Sequence, residues 1–430
     1  MKIKTKKTSY EQVAALPQPA HKKPIKPWFL LRLLIRILAI GDLSKTHFSY
    51  RISKEDRQRI KKEPCFVLMN HSSFIDLKIA SKILFPRPYC IVSTSDGMVG
   101  KYWLMRRIGC IPTQKFVSDL GLIRDMKYAM DKKRLSVLMY PEAGYSLDGR
   151  ATALPPNFGG LLKLLKRPVM MITAHGAFAR DPLYNGLQLR RVKTDADVTC
   201  LVTPDEIERL SVEELDAIVG RAFSFDYFAW QVENGVDISE PFRADGLERF
   251  LYRCADCGAE GKMEGKGTHL VCHACGKRYH MDTLGRLQAT EGETRFSHIP
   301  DWFAWERECV RKEIMGGTYR LDTEVTIGML VDYKALYMVG EGRLLHDENG
   351  FSLTGCDGKL HYEQKPLSSY SLNADYFWYE IDDVIGIGNK NALYYCFPKT
   401  DGVVSKTRLA AEELYKLKST RGGREGRGDA

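Results

Sequence analysis

The chain predicts an α/β sheet with flanking helices, followed by a small cysteine-rich ribbon and a β-rich domain. Three observations predict it. From Pro64 to about Thr203, continuous apolar runs alternate with helical periodicity, the pattern of a sheet covered on both faces. Two Cys-x-x-Cys pairs then fall within 247–290. From about 317 the pattern changes to alternating strands separated by Asn-Gly and Asp-Gly, the residues that two-residue hairpins favour.

At 430 residues the chain is too long for one ordinary core. The formal net charge of +10 calls for an anionic partner, of which a membrane surface, a phosphorylated substrate and nucleic acid are three kinds. Eleven cysteines, odd in number and irregular in spacing, exclude a secreted disulfide framework.

Residues 1–41 carry seven lysines against one acid, Glu11, and then the apolar run Trp28–Ile40. Arg32 and Arg36 are four apart and share a face; Leu, Ile, Phe and Trp fill the others. No run reaches the roughly 20 apolar residues that span a bilayer. The expectation is a basic tail and an amphipathic helix lying in an anionic interface, on the inner, cytoplasmic face of the cell membrane.

Residues 42–232 form the first domain. Its predicted strands are 65–70, 89–94, 109–113, 136–140 and 168–176, with two more at about 187–193 and 197–203. Helices are expected near 72–84, 99–107, 118–133 and 159–166. A last helix opens on Ser211-Val212-Glu213-Glu214, a capping box, and runs to about Gln231. The ribbon covers 247–290, a charged helix lies near 301–315, and the β-rich domain takes 317–418. A helix over 408–418 closes it, and 419–430 is a polar, disordered tail.

The apolar run FVLM leads directly into Asn70-His71-Ser72-Ser73-Phe74-Ile75-Asp76. His71 therefore stands at the carboxyl end of a strand, where α/β sheets place ligands. Two residues five apart on one helix point in different directions. His71 and Asp76 can meet only if His71 is on the loop before the helix and Asp76 points back from its start, with Ser72 or Ser73 as N-cap. A carboxylate on one ring nitrogen would fix the tautomer and leave the other nitrogen as a base. Taken alone, the spacing is a weak pattern that better suits an N-capping Asp and a surface His.

Three more blocks follow in order: Gly109-Cys110-Ile111-Pro112-Thr113-Gln114-Lys115, Pro141-Glu142-Ala143-Gly144-Tyr145-Ser146, and Lys166-Arg167-Pro168-Val169-Met170-Met171. The ordered set resembles the glycerophospholipid (lysophosphatidate) acyltransferase family, over roughly 60–230. The resemblance implies that His71 deprotonates an acceptor hydroxyl and that Asp76 orients it. It implies an acyl thioester donor, acyl-CoA or acyl-carrier protein, and a lysophospholipid acceptor, 1-acylglycerol-3-phosphate in the first instance. Lys115, Glu142 and Ser146 fall at acceptor-binding positions. Lys115 stands where the family has arginine, and Ala143, Gly144 and Tyr145 where it has Gly, Thr and Arg. Arg150 is the candidate to replace the missing arginine. Gly160, in Asn157-Phe158-Gly159-Gly160, opens a helix whose N–H groups suit a phosphate. The competing reading keeps this fold as a non-catalytic lipid-binding platform that recruits partners.

Cys254, Cys257, Cys272 and Cys275 give C-x2-C-x14-C-x2-C, the spacing of a zinc ribbon. Four thiolates close the tetrahedron, so the zinc is expected to be structural. Asp256, Glu260 and Glu264 dilute the basic character around it and argue against nucleic acid. The β-rich domain loosely resembles a pleckstrin-homology barrel.

Overall fold

The computed structural model describes residues 2–117 and 119–425, with side chains to Thr420. The first domain is built on a seven-stranded sheet. Its strands run in the order Ser49–Ile52, Asp195–Val202, Val169–His175, Phe66–Met69, Ser136–Met139, Tyr89–Thr94 and Cys110–Thr113. Every neighbouring pair is parallel except Val169–His175 with Asp195–Val202. Phe66–Met69 is fully buried at the centre because helices cover both faces.

The helices Asp76–Leu84, Tyr102–Ile108, Leu120–Asp131 and Phe158–Leu165 follow their strands as the alternation predicts. Gly109 ends one of them with φ 105°; a Cβ there would lie 2.8 Å from Pro27 Cγ and 2.9 Å from the Tyr89 carbonyl oxygen. Two expectations are corrected. Residues 187–193 form no strand, and Ser49–Ile52 takes the edge beside Asp195–Val202. The capping box at Ser211 is present, but the helix it starts stops at Ala222. Asp226 then caps a separate helix, Tyr227–Glu233, through the N–H of Ala229.

The N-terminal segment is no free tail. Thr5–Lys7 pairs in parallel with Leu336–Met338 of the third domain. From there the chain crosses to the first domain, where Arg106 donates to the carbonyls of Lys22 and Lys23. Helix Phe29–Lys45 follows, and Arg32 turns inward to donate to the Pro86 carbonyl. The apolar side chains face out: Leu30 is 74% and Leu38 65% exposed, beside Phe29, Leu34 and Ile37. No helix among the described residues is long and apolar enough to cross a membrane.

The ribbon is a four-stranded antiparallel sheet, Met263–Lys266, His269–Cys272, Arg278–Met281 and Leu287–Ala289. Its core is continuous with its neighbours. Tyr279 and Leu287 join Trp302 of helix Ile299–Met315, Tyr227 of the first domain and Tyr376 of the third in one buried cluster.

The third domain is a seven-strand antiparallel sheet, with Thr5–Lys7 added at its side, and a helix. Asn349-Gly350 and Asp357-Gly358 fall at its hairpins. Asp401-Gly402 instead joins the last strand, Leu393–Pro398, to the closing helix. That helix runs Val403–Glu425, past the expected end at 418; the rest of the expected tail, 426–430, lies outside the described residues.

Candidate active site

Phe66–Met69 and Ser136–Met139 are parallel neighbours, so the segments leaving their carboxyl ends meet. One is the loop Asn70–Ile75; the other begins with Tyr140, Pro141 and Glu142. Asn70 fixes the loop to the next strand by accepting from the Ala174 N–H and donating to its carbonyl, 2.8 and 2.9 Å. Tyr227 bonds both Asn70 and Ser72 from below.

His71 is on the loop, and Asp76 is the first residue of the helix. Asp76 Oδ2 lies 3.0 Å from His71 Nδ1. The same oxygen accepts the N–H groups of Ser72 and Ser73, at 2.7 and 3.0 Å. So the carboxylate organises the loop as well as the ring. Neither Ser72 nor Ser73 is the N-cap; Ile75 holds that position without a side-chain bond. Asp76 is 1% exposed and His71 24%. With Nδ1 on Asp76, Nε2 has no hydrogen-bond partner among the described residues and is free to take a proton.

Aromatic rings frame the imidazole. Tyr140 stacks on it at 4.2 Å, and Tyr145 leans against it at 4.5 Å with its far side on Phe74. These rings shield one side of the imidazole from water.

The other sequence candidates are placed differently from their expected roles. Glu142 is 2% exposed, and both carboxylate oxygens face inward. Oε1 accepts the His71 N–H at 2.9 Å and Oε2 the Thr152 N–H at 3.1 Å. Glu142 is therefore a strut under the loop Asn70–Ile75, with both oxygens already engaged. Burial pushes its carboxyl up to about 7 against these two N–H bonds. Ser146 is equally committed: its hydroxyl donates to the Arg150 carbonyl and accepts from Gly149 N–H. Arg150 pairs with Asp226 and Asp301, both at 2.9 Å, and so does not supply the missing arginine. The helix start at Gly160 needs no phosphate, since Asp216 already accepts the Gly159 N–H at 2.7 Å. Gly160 itself fits closely over Asn157. Lys115 lies 3.7 Å from Asp375 of the third domain. Tyr227, Thr152 and Asp375 carried no signal in the sequence, since each reaches the site through a long-range contact.

Ala143 adopts φ 54°, a left-handed conformation that its Cβ disfavours.

The four ribbon cysteines converge. Their sulfurs lie within 4.8 Å of one another, with Cys254–Cys275 and Cys257–Cys272 at 3.8 Å. A tetrahedral ion with metal–sulfur bonds of about 2.3 Å requires edges of about 3.8 Å, so the set fits a metal ion. Gly258 and Gly276, at φ 73° and 78°, turn the two knuckles. The remaining cysteines pack into cores: Cys65, Cys90, Cys110, Cys356 and Cys396 are buried, and Cys200 and Cys309 partly so.

Comparison with known proteins bears on the first domain. Residues 51–174 match the family model described as Acyltransferase. That segment contains His71, Asp76, Lys115, Glu142 and Gly160. Among solved structures the chain is similar to the 1-acyl-sn-glycerophosphate (LPA) acyltransferase PlsC from Thermotoga maritima. The identity is 16%, the match covers 44% of this chain and 80% of that one, and the TM-score is 0.34. No curated protein matches the chain.

Proposed function

We propose that the protein is an O-acyltransferase that moves a fatty acyl group from an acyl thioester to the hydroxyl of a lysophospholipid, in phospholipid synthesis. The observation that carries this reading is His71 on Asp76, inside a segment that matches the acyltransferase family. Nε2 takes the proton of the acceptor hydroxyl as its oxygen attacks the thioester carbonyl. The tetrahedral centre collapses with loss of the thiolate, which takes the proton from Nε2 and leaves as the free thiol, returning His71 to its neutral form. The rise in positive charge on the ring is balanced by Asp76, whose Oδ2 is already oriented by two N–H groups. Acyl-CoA and acyl-carrier protein are the two donors to test, and 1-acylglycerol-3-phosphate is the first acceptor.

The enzyme is proposed to act from an anionic membrane surface on the cytoplasmic face of the cell membrane. The outward apolar rank of helix Phe29–Lys45 continues into Trp103, Leu104, Phe74 and Leu77, all exposed. Phe74 touches Tyr145, which in turn touches the His71 ring, so this exposed apolar surface is proposed as the side from which a lipid reaches the base. The ribbon is proposed to hold zinc in a structural role that joins the three domains through their common core.

The decisive assay supplies labelled acyl-CoA and acyl-carrier protein with a panel of lysolipids to wild type and His71→Ala. Turnover in wild type that His71→Ala abolishes is expected. Lipid binding without turnover across the panel would favour the non-catalytic platform. Replacing Leu34, Ile37 and Leu38 together by Asp should release the protein from anionic vesicles in flotation; unchanged flotation would refute the membrane face.

A further inference from the structure

The third domain forms a wall against the segment that leaves strand Cys110–Thr113, at the carboxyl end of the sheet that also carries His71. Strand Asn373–Trp378 brings Asp375 up to the first domain, where its carboxylate lies 3.7 Å from Lys115 Nζ. Lys115 is 13% exposed and Asp375 21%. The contact is not isolated. Phe116 packs edge-on against Tyr370, and Ser369 donates to the Phe116 carbonyl. Gln114 donates to the Lys390 carbonyl. The segment after strand Cys110–Thr113 is thus clamped by the third domain, with its one ammonium group facing a carboxylate.

The charge around Tyr145 is acidic. Burial holds the proton on its hydroxyl, and the charges of Asp76, Asp375 and Asp181 add to that effect. The charges of Asp96 and Asp375 also reach Tyr379. The cations of the segments that build this wall already have partners. Lys115 faces Asp375, Arg180 pairs with Asp181 at 3.0 Å, and Arg150 pairs with Asp226 and Asp301. Arg408, whose charge reaches both Glu142 and Asp375, is bonded to Glu412 at 3.2 Å. A doubly charged phosphomonoester brought here would have to displace a carboxylate from Lys115 and then remain beside it.

We propose that Asp375 is a specificity-determining residue of the acyl-transfer site: by holding Lys115 and setting a carboxylate beside it, it disfavours acceptors bearing a phosphomonoester and selects a hydroxyl on a zwitterionic or uncharged lysolipid. This rests on the acyl-transfer reading above and revises its first acceptor. It gives the third domain a direct part in the reaction, since the residue that sets the charge of the wall lies more than 200 positions beyond His71 in the chain.

The test is a ratio: kcat/KM for 1-acylglycerol-3-phosphate over kcat/KM for 1-acylglycerophosphocholine and for monoacylglycerol, in the same mixed micelles and with the same donor. In wild type the ratio is expected below unity. Asp375→Asn keeps the acceptor atom for the Tyr376 N–H and frees Lys115, and should raise the ratio about tenfold or more. Lys115→Gln should not raise it. A wild-type ratio above unity, or no change in an Asp375→Asn protein that melts as wild type does, would overturn the proposal. The wild-type ratio decides even where a variant does not fold. Absence of turnover with every acceptor is a different result, and it would overturn the acyl-transfer reading itself.

Discussion

The loop Asn70–Asp76 and the cysteine cluster are both written as short local motifs, yet they are held in opposite ways. The loop Asn70–Asp76 contains its own base and carboxylate, but its position depends on distant residues: Ala174, Glu142 and Tyr227. The cysteine knuckles carry their own turns at Gly258 and Gly276, and what closes them is a set of four sulfurs rather than a neighbouring domain. The difference teaches that damage travels in different directions. Removing the metal should loosen everything that packs on the ribbon. Altering a strut far along the chain should disturb the base while the ribbon stays intact.

The largest effect should come from the ribbon. Structural zinc contributes on the order of 10 kcal/mol in isolated fingers. Chelation, or Cys257→Ser, should lower the melting temperature sharply and release zinc in a near one-to-one ratio. Because Tyr279 and Trp302 share the common core, the loss should reach the first domain too. A protein that holds no zinc as purified, or melts unchanged with chelator, would break this half of the comparison.

Asp76→Asn comes next. An amide can accept from the loop N–H groups but cannot balance an imidazolium. Turnover should fall by about 10²–10⁴-fold, roughly 3–5 kcal/mol, with little change in lipid binding. A loss confined to KM would refute the orienting role.

Glu142→Gln tests the strut. An amide offers one accepting oxygen where the carboxyl offers two, so either His71 N–H or Thr152 N–H loses its partner, at about 1–3 kcal/mol. The pH dependence has a definite sign. The carboxyl titrates at about 7 in the fold against 4.5 when exposed, so between those values the folded state binds more protons. Its stabilisation is complete below pH 4.5 and is lost as pH rises through about 7, at a slope of up to about 1.4 kcal/mol per pH unit. Chemical denaturation across that window should show the slope in wild type and a flatter profile in the variant.

The smallest effect is Ala143→Gly. At φ 54° glycine relieves the left-handed strain, and the variant should gain about 1 kcal/mol with turnover retained. A destabilised variant would show that the alanine methyl packs usefully in the turn.

The central strands were legible because both of their faces are covered, which leaves uninterrupted apolar runs such as FVLM and SVLM. The edge was not: Ser49–Ile52 alternates half-buried with exposed residues and offers no apolar run. The single helix read over 211–231 divides because Asp226 caps Ala229 while also pairing with Arg150, a contact invisible in a local window. Among the site candidates, the pairing of His71 with Asp76 could be deduced from loop geometry. Lys115, Arg150 and Ser146 could be noticed only as available groups, because nothing local says which carboxylate or carbonyl will claim them.

The amino-acid order alone determined whatever depends on neighbours: the strand-loop-helix that sets an imidazole over a carboxylate five residues on, and the knuckles that turn four thiols inward. Tertiary structure decided whatever depends on charge partners. It turned Glu142 into a strut, took Arg150 away from the site and set Asp375 against Lys115. The physical reason is range. Backbone hydrogen bonds and turns are settled within a few residues, whereas a buried charge takes whichever opposite charge the packed domains bring beside it.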